Sequence, residues 1–113
     1  MREDRERLKD ILEAITKIEK YAARGENIFK RNELVQNWII HHIQIIGEAA
    51  WALSDKFRME NSQVSWSEII GMRHILVHNY FGVDTDIVWS VVRKDLPKLK
   101  RQVKTVLRKM MEK

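Results

Sequence analysis

The chain contains no cysteine, which excludes disulfides and thiolate metal sites and makes a reducing compartment the natural home, so a cytoplasmic location is expected. Proline occurs once, at Pro97, and glycine four times. With so few breakers among abundant Leu, Ile, Glu, Lys and Arg, the expected class is all-α. No apolar run is long enough to span a bilayer: the longest, residues 38–53, is interrupted by His41, His42, Gln44 and Glu48. The opening residues Met1 to Arg7 are charged almost throughout and lack the apolar core of a signal peptide, so the chain is expected to start life mature. A Gly-rich phosphate loop, internal repeats and low-complexity segments are also missing. What is there is 113 residues, expected to form one domain over 1–113 that buries about 65% of its unfolded surface.

The net charge of +5 is unevenly placed. From Arg93 to Lys113 nine Lys and Arg face only Asp95 and Glu112, a local excess of seven that leaves the rest of the chain at −2. Such a tail points to an anionic partner, nucleic acid first, whose phosphates are expected on Lys98, Lys100, Arg101, Lys104 and Arg108. The same pattern also describes a solvated helix face.

Apolar spacing places the helices. Leu8, Ile11, Leu12, Ile15, Ile18 and Ala22 recur at three and four, predicting a first helix from Asp4 to about Arg24, ended by Gly25 and Asn27. A second is expected from a cap near Asn32 to about Arg58, with Val35, Trp38, Ile39, His42, Ile46, Ala49, Leu53 and Phe57 on one stripe. Ile40, Ile43 and Trp51 widen that stripe beyond what one neighbour needs, which suggests a second buried face and a dimer. Gly47, Ala49 and Ala50 would let another helix come close. Ser65-Trp66-Ser67-Glu68 has capping-box spacing, with Val64 and Ile69 as its staple, so a third helix is expected from Trp66 to about Phe81, stopped by Gly82. Asp84 or Thr85 should cap a fourth, bearing Ile87, Val88, Val91 and Val92 with Trp89 beside them. Asp95-Leu96-Pro97 should interrupt it before a fifth carries Leu99, Val103, Val106, Leu107 and Met110.

Reactive side chains crowd into Arg73-His74-Ile75-Leu76-Val77-His78-Asn79-Tyr80. Arg73 offers a permanent cation with a planar fork of donors, and His78 a side chain that titrates near neutrality. Five residues apart, they are separated by about 140° on a regular helix, so either the helix is distorted here or the two line a cleft between this helix and another body, such as the same helix of a second subunit. A two-fold dimer would bring two Arg73 and two His78 together, which suits cleavage of a phosphodiester by its own 2′-hydroxyl: a base, an acid and a cation are all needed. Two histidines at i and i+4, His74 and His78, without a third ligand do not make a metal site. His42 reads as a hydrogen-bonded histidine on a packing face, Glu48 as an arginine's partner or the wet edge of its helix, and the four tryptophans as core and interface mass.

The Arg73 to Tyr80 segment resembles the Arg-x4-His-x-Tyr motif of HEPN ribonucleases, specifically the HepT-type toxins of HepT–MntA toxin–antitoxin pairs. Ile45-Ile46-Gly47-Glu48-Ala49-Ala50, Trp66-x-x-Ile69-Ile70-Gly71-Met72-Arg73, Tyr80-Phe81-Gly82-Val83-Asp84 and Asp95-Leu96-Pro97 are similar to that family in order and spacing, so the resemblance covers nearly the whole chain. It implies an antiparallel bundle of four to five helices, a homodimer, and a cofactor-free, metal-independent endoribonuclease site in the cleft between subunits, leaving 2′,3′-cyclic phosphate ends. Arg73 and His78 would be catalytic, with His74 and Asn79 supporting. It further implies a nucleotidyltransferase antitoxin of the MntA type that transfers AMP to Tyr80. The alternative within the same family is a non-catalytic helical module that binds and assists a nucleotidyltransferase.

Overall fold

The computed structural model describes residues 2–77 and 84–112, apart from the side chains of Arg2 and residues 74–77. The described chain is helical throughout and contains no strand. Four long helices build the bundle: α1 (Arg2–Ala22), α3 (Glu33–Ala52), α5 (Trp66–Val77) and α7 (Leu96–Met111). Three six-residue helices connect them: α2 (Glu26–Arg31), α4 (Asp55–Glu60) and α6 (Thr85–Ser90).

α1 lies in the middle. Its apolar stripe, Leu8, Ile11, Ile15 and Ile18, is fully buried, each side chain contributing about 1.5–3 kcal/mol of hydrophobic stabilisation. Bonds at both ends fix the directions of its neighbours. Asp4 meets Ser54 and Lys17 meets Trp38, so α3 runs antiparallel to α1; Glu19 meets Lys100 and Arg5 meets Met111, so α7 does too. α5 packs on α3. Within one chain α1 and α5 cover much of the broad α3 stripe, while Trp38 and Trp51 stay exposed.

The caps follow local chemistry. Gly25, at φ 97, takes a left-handed turn that other residues rarely adopt and separates α1 from α2. The short α2 was not expected; it is tied down by Gln36, whose side-chain amide donates to the carbonyls of Phe29 and Lys30, and by Phe29 stacking on Trp89. Asn32 caps α3 by accepting from the Val35 amide at 3.1 Å, and Asp84 caps α6 by accepting from Asp86 and Ile87. The Ser65 carbonyl accepts the first amides of α5, those of Glu68 and Ile69.

Two expected boundaries are corrected. α3 stops at Ala52 rather than continuing to Arg58, because Leu53 and Ser54 turn extended. Ser54 donates through both its amide and its hydroxyl to the buried carboxylate of Asp4, at 2.8 Å each, while its hydroxyl oxygen accepts from Phe57 to start α4. Those bonds offset the helical ones that are lost. At Asp95-Leu96-Pro97 the helix is not interrupted: Val91–Asp95 forms a π segment, in which the Leu96 amide reaches the Val91 carbonyl five residues back. Widening the turn absorbs the donor that Pro97 lacks, and α6 runs on into α7. Of the apolar residues along α6 and the π segment, Val88, Trp89 and Val92 are buried whereas Ile87 is exposed. The expected third-helix residues beyond Val77 lie outside the described residues.

Candidate active site

The site is built where α5 crosses α3. Gly47 has no Cβ, and one placed there would meet the Cβ of Arg73 at 3.0 Å and the Ile69 carbonyl at 3.3 Å. The missing side chain is what allows the two backbones to approach, and it fixes where the Arg73 stem emerges. Its guanidinium then reaches along α3. One terminal nitrogen sits 3.4 Å from each carboxylate oxygen of Glu48, one residue beyond Gly47, and the guanidinium carbon lies 5.1 Å from the centre of the Trp51 ring. The face of the indole attracts the cation.

The partners differ in exposure. The Arg73 side chain is 19% accessible against 62% for Glu48, so the cation is sheltered and its counter-ion is wet. At 3.4 Å the pair is longer than the 2.7–2.9 Å of a tight charge-assisted bond. A phosphate oxygen can therefore compete for the same donors. Arg73 opens onto a cleft of about 930 Å³ between α1, α3 and α5. Its floor is one face of α3, with His41, Gln44, Glu48 and Trp51, and its α1 wall carries Arg7 and Asp10.

Of the residues expected to act with Arg73, His74 lies in α5 with its side chain outside the described residues, and His78, Asn79 and Tyr80 lie outside them altogether. His42 is 5% exposed and donates from Nδ1 to the Trp38 carbonyl at 2.7 Å, the packing role read from its position. Among the described residues no group of three or more His, Asp or Glu could hold a metal ion. Glu48 is the arginine's partner at the wet edge of its helix, not a buried partner. The tryptophans divide: Trp66 and Trp89 are buried, whereas Trp51 is 57% exposed and belongs to the cleft.

The basic face of α7 is a separate place. None of its residues lines the Arg73 cleft. Lys98, Arg101, Lys104 and Arg108 point to solvent at helical spacing, but Lys100 is only partly exposed and holds both carboxylate oxygens of Glu19, at 2.9 and 3.0 Å. That lysine ties α7 to α1.

Arg7, His41, Gln44 and Trp51 were not expected at the site from the sequence, Trp51 having been read as packing mass. A signal for three of them was present: positions 41, 44, 48 and 51 recur at helical spacing and place polar residues on one face of an otherwise apolar helix.

An all-helical bundle with a sheltered arginine on an open cleft defines a class, and comparison with known proteins narrows it. The family model described as "Ribonuclease HepT-like" matches residues 11–106, and the chain belongs to that HEPN family. "Probable ribonuclease HepT" of Thermococcus cleftensis is 35% identical over 100 residues, covering 88% of this chain and 91% of that protein. "Putative RNase MJ1380" of Methanocaldococcus jannaschii is 36% identical over 100 residues, covering 88% and 92%. "Gamma-glutamylcyclotransferase and putative RNase MJ0434" of the same organism is 39% identical over 104 residues; these are 91% of this chain but 47% of that protein, so the chain spans about half its length. No solved structure matches. Among the described residues no helix is long and apolar enough to cross a membrane.

Proposed function

We propose that this chain is a metal-independent endoribonuclease, the cytoplasmic toxin of a toxin–antitoxin pair, acting as a homodimer at a cleft that two copies share. The observation that carries this reading is Arg73: a cation sheltered at a cleft, fixed by the Gly47 approach, and facing a wet Glu48 at 3.4 Å and the Trp51 ring. Family membership supplies the substrate class.

In the reaction, the 2′-hydroxyl of one nucleotide attacks its own 3′-phosphorus. His78 accepts the hydroxyl proton, or in its protonated form delivers one to the departing 5′-oxygen, and the second copy's His78 does the complementary step. Arg73 binds the non-bridging oxygens, whose charge grows as phosphorus becomes five-coordinate. The P–O5′ bond breaks to leave a 2′,3′-cyclic phosphate and a free 5′-hydroxyl. His74 and Asn79 support the pair. The exposed cations of α7 hold the strand by its phosphates.

Control is proposed to come from an MntA-type nucleotidyltransferase that transfers AMP to the Tyr80 hydroxyl, releasing pyrophosphate from ATP. The added phosphate brings negative charge and bulk two residues from His78, where both compete with RNA. Incubating the purified protein with RNA in EDTA tests the activity: cleavage with cyclic phosphate ends is expected, and no cleavage by wild type would favour the non-catalytic module. Co-expression with the cognate nucleotidyltransferase should add AMP mass to Tyr80 and silence the enzyme. Tyr80→Phe should stay unmodified and active, and a neutralised complex with unmodified Tyr80 would point to simple masking of the cleft.

A further inference from the structure

The cleft beside Arg73 holds two unsatisfied groups that the cleavage chemistry does not use. Trp51 leaves 57% of its surface in solvent, and among the described residues no protein group accepts from its indole N–H. The other tryptophans are engaged. Trp38 donates to the Lys17 carbonyl and meets Tyr21 edge-on, Trp66 donates to Asn61, and Trp89 stacks on Phe29. Trp51 has a cation near its ring, the Arg73 guanidinium, and an otherwise open aromatic surface. The second group is Arg7. Its Nε is buried without a hydrogen-bond partner, and its nearest carboxylate, Asp10, stands 4.0 Å away, the outer limit of an ion pair. The side chain as a whole is 40% accessible, so an anion reaching it would meet atoms other than the buried Nε.

The fold sets these groups around one space. The Asp4–Ser54 bonds pin the start of α1 to the end of α3, and Arg7, one turn further along α1, lies on the cleft wall with Trp51 on its floor and Arg73 from α5. We propose that this cleft is a subsite for the single-stranded RNA flanking the scissile phosphate, with a base stacked on Trp51, Arg7 on a neighbouring phosphate, and Gln44 within the same space able to donate to and accept from a base edge. The assignment rests on the ribonuclease reading above and deepens it.

Three features favour an RNA strand over burial against a second copy. Most of the lining surface is apolar, yet among the described lining residues Arg7, Asp10, Glu48 and Arg73 are charged, whereas the core of a subunit interface is depleted in charge. An exposed aromatic beside arginines is the arrangement that takes single strands, because every base has a face to stack. The volume of about 930 Å³ also lies within the range of formed ligand sites, roughly 300–1,000 Å³.

The test uses a 2′-O-methyl RNA hexamer, which cannot supply the attacking hydroxyl, so binding is read apart from cleavage. Tryptophan emission should be quenched saturably in the wild-type protein. Trp51→Leu should lose that quenching and bind about 10-fold or more weakly, as stacking on an aromatic is worth ~1–3 kcal/mol per base. Trp51→Tyr, which keeps an aromatic face, should recover most of the affinity. With cleavable RNA, Trp51→Leu should raise KM and, because the indole also places the Arg73 guanidinium, lower kcat as well, and Trp51→Tyr should recover both. Arg7→Gln should lower the salt slope of binding by about 0.7, one phosphate on a single strand.

An unchanged Kd in Trp51→Leu overturns the subsite. So does a Trp51 that iodide cannot quench in free wild type, together with a Trp51→Leu variant that falls to monomer in sedimentation; the cleft would then be covered by a second copy. In either case a wild-type protein that still cleaves RNA leaves the ribonuclease reading standing. A wild type that neither cleaves RNA nor binds the hexamer removes both.

Discussion

The cleft and the α7 face both present arginine and lysine, but they hold them differently. Arg73 is sheltered, its stem set by Gly47 and its guanidinium placed by Trp51 and Glu48. Lys98, Arg101, Lys104 and Arg108 stand in solvent, and among the described residues none of them forms an ion pair. A fixed cation can meet charge where it develops, which is worth much in a transition state and little in overall affinity. A row of free cations does the reverse, releasing counter-ions along any phosphate chain without regard to sequence. The difference lies in the packing beneath each charge.

The comparison breaks most sharply at Arg73 and His78. Replacing either by Ala should lower the cleavage rate ~10²–10⁴-fold with the fold retained, and His74→Ala should cost less. Arg73→Lys should not restore the rate, because a lysine lacks the planar fork that spans two oxygens. Single-turnover cleavage at saturating RNA checks all three. If His78→Ala cleaves as fast as wild type, the proposed acid–base role is wrong.

The next effects act on the scaffold of the cleft. Gly47→Ala sets a Cβ 3.0 Å from that of Arg73. Both are stem atoms with no flexible end to move, so the helices must part, at a cost of ~1–3 kcal/mol. Cleavage should fall by more than the loss of folded protein explains, since Arg73 shifts with α5. Asp4→Ala leaves the Ser54 amide and hydroxyl without their acceptor and should cost ~1–3 kcal/mol of stability. Urea denaturation of each variant beside its cleavage rate separates the two: Asp4→Ala should alter stability chiefly, Gly47→Ala both.

Much of this was legible in the residues, for reasons that are themselves local. The α1 stripe, the Asn32 and Asp84 caps and the Gly25 stop depend on neighbours within four positions. The approach of a helix at Gly47 was also readable, because a glycine beside two alanines leaves room wherever the partner comes from. What escaped depends on distant residues. Nothing near Ser54 says that Asp4, fifty positions away, will supply an acceptor, so the break in α3 was missed. The stripe on α3 read as wide enough for a dimer because periodicity counts apolar faces without saying which chain covers them; α1 and α5 cover much of it, and Trp51 stays exposed. Trp51 read as packing mass for a similar reason: a tryptophan's place in a helical stripe does not say whether a neighbour covers it, and here it is 57% exposed.

The smallest effects belong to α7. Changing Arg101, Lys104 and Arg108 together to Glu should reduce the salt slope of RNA binding by about 2, at ~0.7 per phosphate released, while the cleavage positions and kcat stay as they are. Lys100 is left out of that set because its ammonium is already committed to Glu19 across the α1–α7 seam. Lys100→Ala should instead cost at most about 1 kcal/mol of stability, the ordinary worth of a partly exposed ion pair, and leave the salt slope unchanged. Titrating RNA into both variants at several salt concentrations distinguishes the roles. A slope that falls in Lys100→Ala and holds in the triple variant would mean that the paired lysine is the one phosphate reaches, and that the free cations are only a solvated face.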